Sequence, residues 1–143
     1  MTTEEILHKE IDLIQSIINR MANNSFLLKG WLVSLIAVIL ALTKDTIVAT
    51  QLTYFSFILL IPVFAFWYLD AFFLHKERCF IKLYEWVTTN RQTSNEHLYN
   101  LNYRRFENQV DSIWKIMRSK TLRVFYGIIV IILLILALHN IIV

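Results

Sequence analysis

Three long apolar stretches constrain how this 143-residue chain can fold more than any other feature. They cover residues 26–43, 52–74 and 122–143. A helix needs about 20 apolar residues to cross a hydrocarbon core of about 30 Å, and each stretch is close to that length. Backbone groups inside a bilayer must be hydrogen-bonded within their own segment, so stretches of this kind predict helices. The sequence therefore predicts an all-α integral membrane protein with three transmembrane helices.

The composition agrees with a membrane protein of one domain. Hydrophobic residues make up 57% of the chain and charged residues 17%, whereas about 25% of residues are charged in soluble domains. The polar segments that remain are too short for a sizeable second domain. We expect residues 1–143 to form one membrane domain, with a cytoplasmic amphipathic helix at 2–23 and a cytoplasmic helical hairpin at 75–120.

The positive charges predict the orientation. The loop at 44–51 carries one base, Lys44, whereas the segment between the second and third spans carries nine. Those nine are Lys76, Arg78, Lys82, Arg91, Arg104, Arg105, Lys115, Arg118 and Lys120. Because Lys and Arg stay preferentially on the cytoplasmic side, the N-terminus and the 75–120 segment are predicted inside. The 44–51 loop and the C-terminus are then predicted outside.

The N-terminal segment has the pattern of an amphipathic helix. Thr2 and Glu5 have the spacing of a capping box. One apolar row follows at helical spacing, namely Leu7, Ile11, Ile14, Ile18 and Met21, and a second row consists of Ile6, Leu13 and Ile17. So wide a stripe predicts burial against more than one neighbour. Such a helix can lie on the membrane surface or pack on protein. We favour protein, because its polar face carries more acids than bases, unlike helices that bind membrane surfaces. The acids are Glu4, Glu5, Glu10 and Asp12, and the bases are Lys9 and Arg20.

Apolar residues in the middle segment continue the helical pattern out of the adjoining spans. One row follows the second span and another precedes the third, with a polar turn at 88–102 between them. The rows are Phe80, Leu83, Tyr84 and Val87, then Phe106, Val110, Ile113 and Met117. They predict that both spans project into the cytoplasm and form a small bundle with the N-terminal helix.

Two charges lie inside the predicted spans at matching depth. Lys29 lies three residues past the start of the first span, and Asp70 lies four residues before the end of the second. Both are therefore about 5 Å inside the same inner boundary. We predict that they form a salt bridge, within or between subunits. The alternative is that Lys29 extends to the headgroups while Asp70 reaches cytoplasmic water.

The spans contain few other polar features. Pro62 in the second span removes one backbone hydrogen bond and predicts a helix kink, which serves either packing or gating. The centre of the third span, 128–138, has no polar side chain. The sequence therefore indicates no continuous hydrophilic lining, although a hydrophobic constriction that gates by dewetting remains compatible with it.

The motifs of common enzymes and metal proteins are missing. Two distant glycines exclude a phosphate-binding loop, and the four histidines and the single cysteine lack metal-ligand spacing. We predict no enzyme, no cofactor, no metal and no direct binding of nucleic acid. Four bases, Arg104, Arg105, Lys115 and Arg118, can contact an anionic ligand such as a nucleotide or a lipid headgroup. Alternatively, they only set the orientation in the membrane.

Part of the sequence resembles a family of small bacterial inner-membrane proteins, some of which resemble membrane-acting components of anti-phage defence systems. The residues that carry the resemblance are NRMANNSFLLKGW at 19–31, FWYLD at 66–70, and Glu77 with Arg78. The resemblance implies a multi-pass protein of the bacterial inner membrane with a periplasmic C-terminus. It also implies an oligomer that perturbs the membrane when an upstream sensor is triggered.

Two functions follow as hypotheses. The first is a non-enzymatic homo-oligomer whose cytoplasmic helices receive a signal, from a sensor protein or a nucleotide, and whose spans form a pore or perturb the bilayer. The wide apolar stripes favour it, because one chain supplies too few partners for them. The second is a membrane scaffold or accessory subunit that anchors a cytoplasmic partner. A transporter is disfavoured because the spans lack a polar midplane site.

Overall fold

The computed structural model describes residues 2–43 and 49–142, and the regular elements in these ranges are all helical. The helices are α1 (Thr3–Thr43), α2 (Ala49–Asn90), a 3-10 helix (Tyr103–Gln109), α3 (Ile113–Met117) and α4 (Lys120–Ile142). Three stretches are long and apolar enough to cross a membrane, Thr3–Leu42, Thr53–Asn90 and Lys120–His139. This confirms the predicted all-α class and fits a multi-pass membrane protein. Most of the predicted loop at 44–51 lies outside the described residues.

α1 and α2 are much longer than a bilayer is thick. They contain 41 and 42 residues, which at 1.5 Å per residue gives each a length of about 60 Å. A hydrocarbon core is about 30 Å thick, so each helix extends well past it at one end. We call residues 2–24 and 75–119 the polar half, and the remaining described residues the apolar half.

The predicted N-terminal helix and the first span are one uninterrupted helix. The capping box at its start is confirmed, since Thr2 N donates to Glu5 Oε2 over 2.9 Å and Glu5 N donates to Thr2 Oγ1 over 3.3 Å. Neither proline nor glycine occurs between the two segments, and the helix continues through Asn23 and Asn24. A displacement of the polar part of α1 is therefore transmitted directly to its apolar part.

α2 lies at the centre of the described structure. α1 and α4 each pack along it, and no close backbone approach between α1 and α4 occurs within 2–43 and 49–142. In the apolar half the core is formed by buried residues of all three helices, including Leu32, Val63 and Leu133. α2 thus carries the other two long helices, and α1 and α4 face each other across a groove lined by residues such as Ala37 and Ile132.

The polar half has its own hydrophobic core. Ile14 of the predicted N-terminal stripe is buried with Phe80, Leu83 and Val87 of α2. Leu13, from the second predicted row, differs from the expectation because its side chain is 45% exposed. In this half α1 packs along α2, and Phe106 of the 3-10 helix joins the same cluster, so one side of the wide stripe is covered while Leu13 stays open.

The predicted hairpin at 75–120 is only half right. Its first arm is the continuous extension of α2 to Asn90, but its second arm is the 3-10 helix and the five-residue α3 instead of one helix. A polar side chain caps the N-terminus of each of these two elements. Asn102 accepts a hydrogen bond from Arg104 N, and Ser112 accepts one from Lys115 N. Short Asn and Ser side chains favour such caps and thereby interrupt a longer helix.

Pro62 lies inside α2, which continues on both sides of it. Proline has no N–H, so the carbonyl group one turn earlier lacks its helical donor. The helix passes this position without a break, and a kink at Pro62 stays a prediction.

The single cysteine provides a test of this packing. Cys79 is fully buried on α2 in the polar half. We expect iodoacetamide to modify it at least about 100-fold more slowly in mild detergent than in denaturing detergent, because alkylation requires local opening. Mass spectrometry of the intact protein measures both rates. Equal rates in the two detergents would contradict the burial of Cys79.

Candidate functional site

A buried carboxylate lies near the predicted inner end of the spans. Asp70 on α2 is 0% exposed. Its Oδ2 atom lies 2.5 Å from Nζ of Lys29 on α1, whose side chain is 23% exposed. The two predicted charges therefore meet within one chain. Pairing of this kind is required, because an isolated carboxylate in an apolar environment is very costly.

Two hydroxyl groups complete the bonding of this carboxylate. Ser25 of α1 donates a short hydrogen bond to Asp70 Oδ1. Tyr126 of α4 donates to Asp70 Oδ2 over 2.9 Å. Lys29 Nζ also donates to Ser25 Oγ over 3.0 Å. These four residues, which we call the Asp70 junction, connect α1, α2 and α4 through one carboxylate.

Aromatic packing holds the tyrosine of the junction in place. The rings of Trp67 and Tyr126 are stacked, with centroids 5.5 Å apart and an angle of 7° between planes. Trp67 Nε1 donates to the carbonyl oxygen of Met117 at the end of α3 over 2.9 Å. Buried indole and phenol groups need such polar partners. The same tryptophan therefore ties α3 to the junction.

Sequence reasoning identified two of the four junction residues. Lys29 and Asp70 were found by comparing their depths, but Ser25 and Tyr126 were missed. Ser25 precedes Lys29 by one helical turn, and Tyr126 lies four residues past the start of the third predicted span. Tyr126 is at the depth of Asp70, so extending the depth comparison to hydroxyl groups would have found it, whereas Ser25 lies one residue outside the predicted first span.

A second buried ion pair lies in the polar half. Arg91, just past the end of α2, is 1% exposed, and Glu10 of α1 is 2% exposed. Arg91 Nε lies 2.5 Å from Glu10 Oε2, and its Nη2 lies 2.8 Å from Glu10 Oε1. Bidentate pairs of this geometry are strong and specific. The pair, which we call the Arg91 latch, joins α1 to the loop after α2.

The loop after α2 satisfies the other donors of Arg91. Nη1 donates to the carbonyl oxygens of Ser94 and Glu96 over 3.0 and 2.9 Å, and Nη2 donates to that of His97 over 3.4 Å. All five N–H groups of the guanidinium therefore have acceptors. His97 and Tyr99 have positive φ angles of 55° and 52°, which non-glycine residues adopt only when their surroundings compensate the strain. Arg91 holds the carbonyl of His97, and Glu10 Oε1 accepts a hydrogen bond from Tyr99 N over 2.8 Å, so both members of the ion pair hold this backbone.

Sequence reasoning missed the Arg91 latch. Glu10 was assigned to the polar face of the N-terminal helix, and Arg91 was counted only as an orientation charge. The signal was present, however, because Glu10 lies three residues after Leu7 and four before Ile14. Those spacings place it on the apolar face, where an acidic side chain needs a buried partner.

The four bases predicted to contact an anion have different surroundings. Arg105 has its Cζ 5.2 Å from the centre of the Trp86 ring. Lys115 Nζ donates to Asp111 Oδ1 over 2.6 Å, and this hydrogen bond holds the pKa of Asp111 below its usual value. Arg118 donates to a backbone carbonyl of its own helical turn, and Arg104 is exposed. A shared anion site for these bases stays a prediction.

Within the described residues no group of three His, Cys, Asp or Glu side chains is placed to hold a metal ion. The nearest approach to such a set is His75 and Cys79, whose Nε2 and Sγ atoms are 3.7 Å apart. The two buried ion pairs are therefore the polar centres with the most complete bonding in the described chain.

The Asp70 junction predicts strong coupling between its charges. Lys29→Ala and Asp70→Ala should each lower the free energy of unfolding by about 3 kcal/mol, because each leaves a buried partner unpaired. Exchanging the two residues should partly restore stability. Unfolding in mixed micelles of increasing dodecyl sulfate fraction measures these values. Additive losses in the double-mutant cycle would show that the two side chains do not interact.

The geometry of the Arg91 latch predicts that the stability of the polar half depends on one guanidinium. Arg91→Ala should lower the free energy of unfolding by about 3–5 kcal/mol and accelerate alkylation of Cys79. Lys82→Ala is the matched control, since Lys82 forms an exposed pair with Glu85 on the same helix and such pairs contribute about 0–1 kcal/mol. Equal losses for the two variants would contradict the role assigned to the latch.

No protein-family model, curated protein or solved structure matches this chain.

Proposed function

We propose that this chain is a non-enzymatic, homo-oligomeric inner-membrane protein that permeabilises or perturbs the bilayer when its polar half receives a signal. The observation that carries the proposal is the Asp70 junction. One carboxylate accepts bonds from both other long helices at the level where the polar half begins. A small change in its bonding therefore affects how all three helices pack.

The two ion pairs are placed to connect a signal with the spans. Glu10 and Ser25 lie on the same unbroken helix, about 22 Å apart along its axis. Asp70 and the end of α2 are likewise joined by uninterrupted helix. Binding of a ligand or partner at the Arg91 latch would therefore change the bonding of the Asp70 junction, because rigid helices connect the two sites. In this proposal the polar half faces the cytoplasm.

The arrangement of the spans supports a closed state that must change in order to conduct. The centre of α4 is apolar in sequence, and α1 and α4 both pack on α2 and leave their other sides uncovered. A path for ions would need several copies or a rearranged packing of the three helices. Release of the Asp70 junction by the signal would supply that rearrangement.

Intramembrane catalysis by the junction is the less favoured use of its residues. Lys29 Nζ lies 3.0 Å from Ser25 Oγ, the arrangement of a serine nucleophile and a lysine base. The same Nζ atom is already engaged by the carboxylate of Asp70 and by the carbonyl oxygen of Ser25, which opposes a role as base. The serine is also buried, and its hydroxyl group donates a hydrogen bond to the carboxylate.

A scaffold that anchors a cytoplasmic partner is the second candidate. Exposed apolar side chains of the polar half favour it, namely Leu13, Leu98 and Tyr99. Surfaces of this kind often serve protein contacts. In this alternative the spans act only as an anchor, and the Arg91 latch shapes the surface that the partner contacts.

Leakage from lipid vesicles tests the proposal. Tyr126→Phe removes one hydrogen bond of the junction while keeping the ring stack, so it should raise the release of a trapped dye about tenfold over the unmodified protein. Tyr54→Phe is the control, because Tyr54 is a tyrosine of α2 that is 70% exposed.

Vesicles that stay tight with both variants, together with co-purification of a stoichiometric soluble protein, would favour the scaffold. Equal leakage from the two variants would show that the junction does not control permeability.

A further inference from the structure

An open groove lies beside the Asp70 junction, where α2, the 3-10 helix and α3 meet. Its volume is 560 Å³. Tyr68 of α2 and Trp114 of α3 line one part of it, and Lys76 and Glu107 line another. The Trp114 groove, as we call it, therefore combines two aromatic rings with charges of both signs.

The groove crosses the predicted inner boundary of the membrane. Tyr68 lies six residues, about 9 Å, inside the end of the second span, and Lys76 lies two residues outside it. The hydrogen bond from Trp67 to Met117 fixes the end of α3 at the same height. Tyr68 is 40% exposed and Trp114 is 65% exposed, with ring centroids 6.0 Å apart. Exposed Trp and Tyr rings at this level are typical of the membrane interface, where one side is apolar and the other is wet.

The charges of the groove form a pair. Lys76 Nζ lies 3.3 Å from Glu107 Oε1, and the two side chains are 14% and 39% exposed. Lys76 also lies 4.1 Å from the centre of the Tyr103 ring, which fixes its position from the other side. The amide of Asn108, next to Glu107, is exposed at the same edge. A ligand that suits this site carries an anionic and a cationic group close together.

We propose that the Trp114 groove binds the headgroup of phosphatidylethanolamine. Its phosphate accepts hydrogen bonds from Lys76 and Asn108, and its ammonium group donates to Glu107 beside the two aromatic rings. A choline headgroup has no N–H to donate to this carboxylate. An anionic headgroup such as glycerol phosphate brings no cation to it. The site is independent of whether the spans permeabilise the bilayer or only anchor the chain.

Native mass spectrometry of the full chain, released from detergent with added lipid, tests this site. The probes are the dioleoyl forms of phosphatidylethanolamine, phosphatidylcholine and phosphatidylglycerol. Phosphatidylethanolamine should bind about tenfold more tightly than either of the others, which corresponds to one hydrogen bond to a charged group.

Two variants and a control separate the site from general lipid binding. Glu107→Gln should abolish the preference for phosphatidylethanolamine, and Trp114→Ala, at a position that is 65% exposed, should weaken its binding severalfold. Glu85→Gln removes an exposed carboxylate elsewhere in the polar half and should change nothing. Equal affinity for the three lipids, preference for phosphatidylglycerol, or an equal effect of Glu85→Gln would overturn the proposal.

Discussion

The bonding of one buried carboxylate determines how the three long helices of this protein meet. Asp70 has no exposure, so its charge must be matched by groups that the protein supplies. Those groups come from α1, through Ser25 and Lys29, and from α4, through Tyr126. The apolar contacts around them are interchangeable by comparison, because dispersion and burial have little directional preference. The junction thus fixes the relative position of helices that apolar packing alone would leave less defined.

The Arg91 latch performs a similar task at the other end of the same helices. Its guanidinium orders a loop that has no hydrophobic core of its own and holds that loop against α1. Together, the latch and the junction bond α1 to α2 and the loop after it at two points, with uninterrupted helix between them. Such a connection between the polar half and the spans is what the proposed function requires. Burial of ion pairs contributes little net stability but imposes one particular arrangement, and that is the role we assign to both.

The parts of the fold that sequence reasoning recovered share a regular geometry. Lys29 and Asp70 could be paired because both lie on long helices, where depth follows directly from residue number. Ile14 could be assigned to a core for the same reason. The second arm of the predicted hairpin was wrong because caps at Asn102 and Ser112 interrupt a helical apolar pattern. Glu10 was misplaced because its acidic character was weighed above its position between Leu7 and Ile14.

The sequence by itself determined the helical class, the three apolar stretches and the depth of the charges within them. These follow from hydrophobicity and helical periodicity, which are local properties of the chain. Only the tertiary structure decided that α1 and α4 both pack on α2, that Tyr126 reaches Asp70, and that Glu10 meets Arg91. Such contacts join residues far apart in the chain. They depend on how each helix is rotated toward its neighbours, and apolar surfaces of similar composition leave that rotation open.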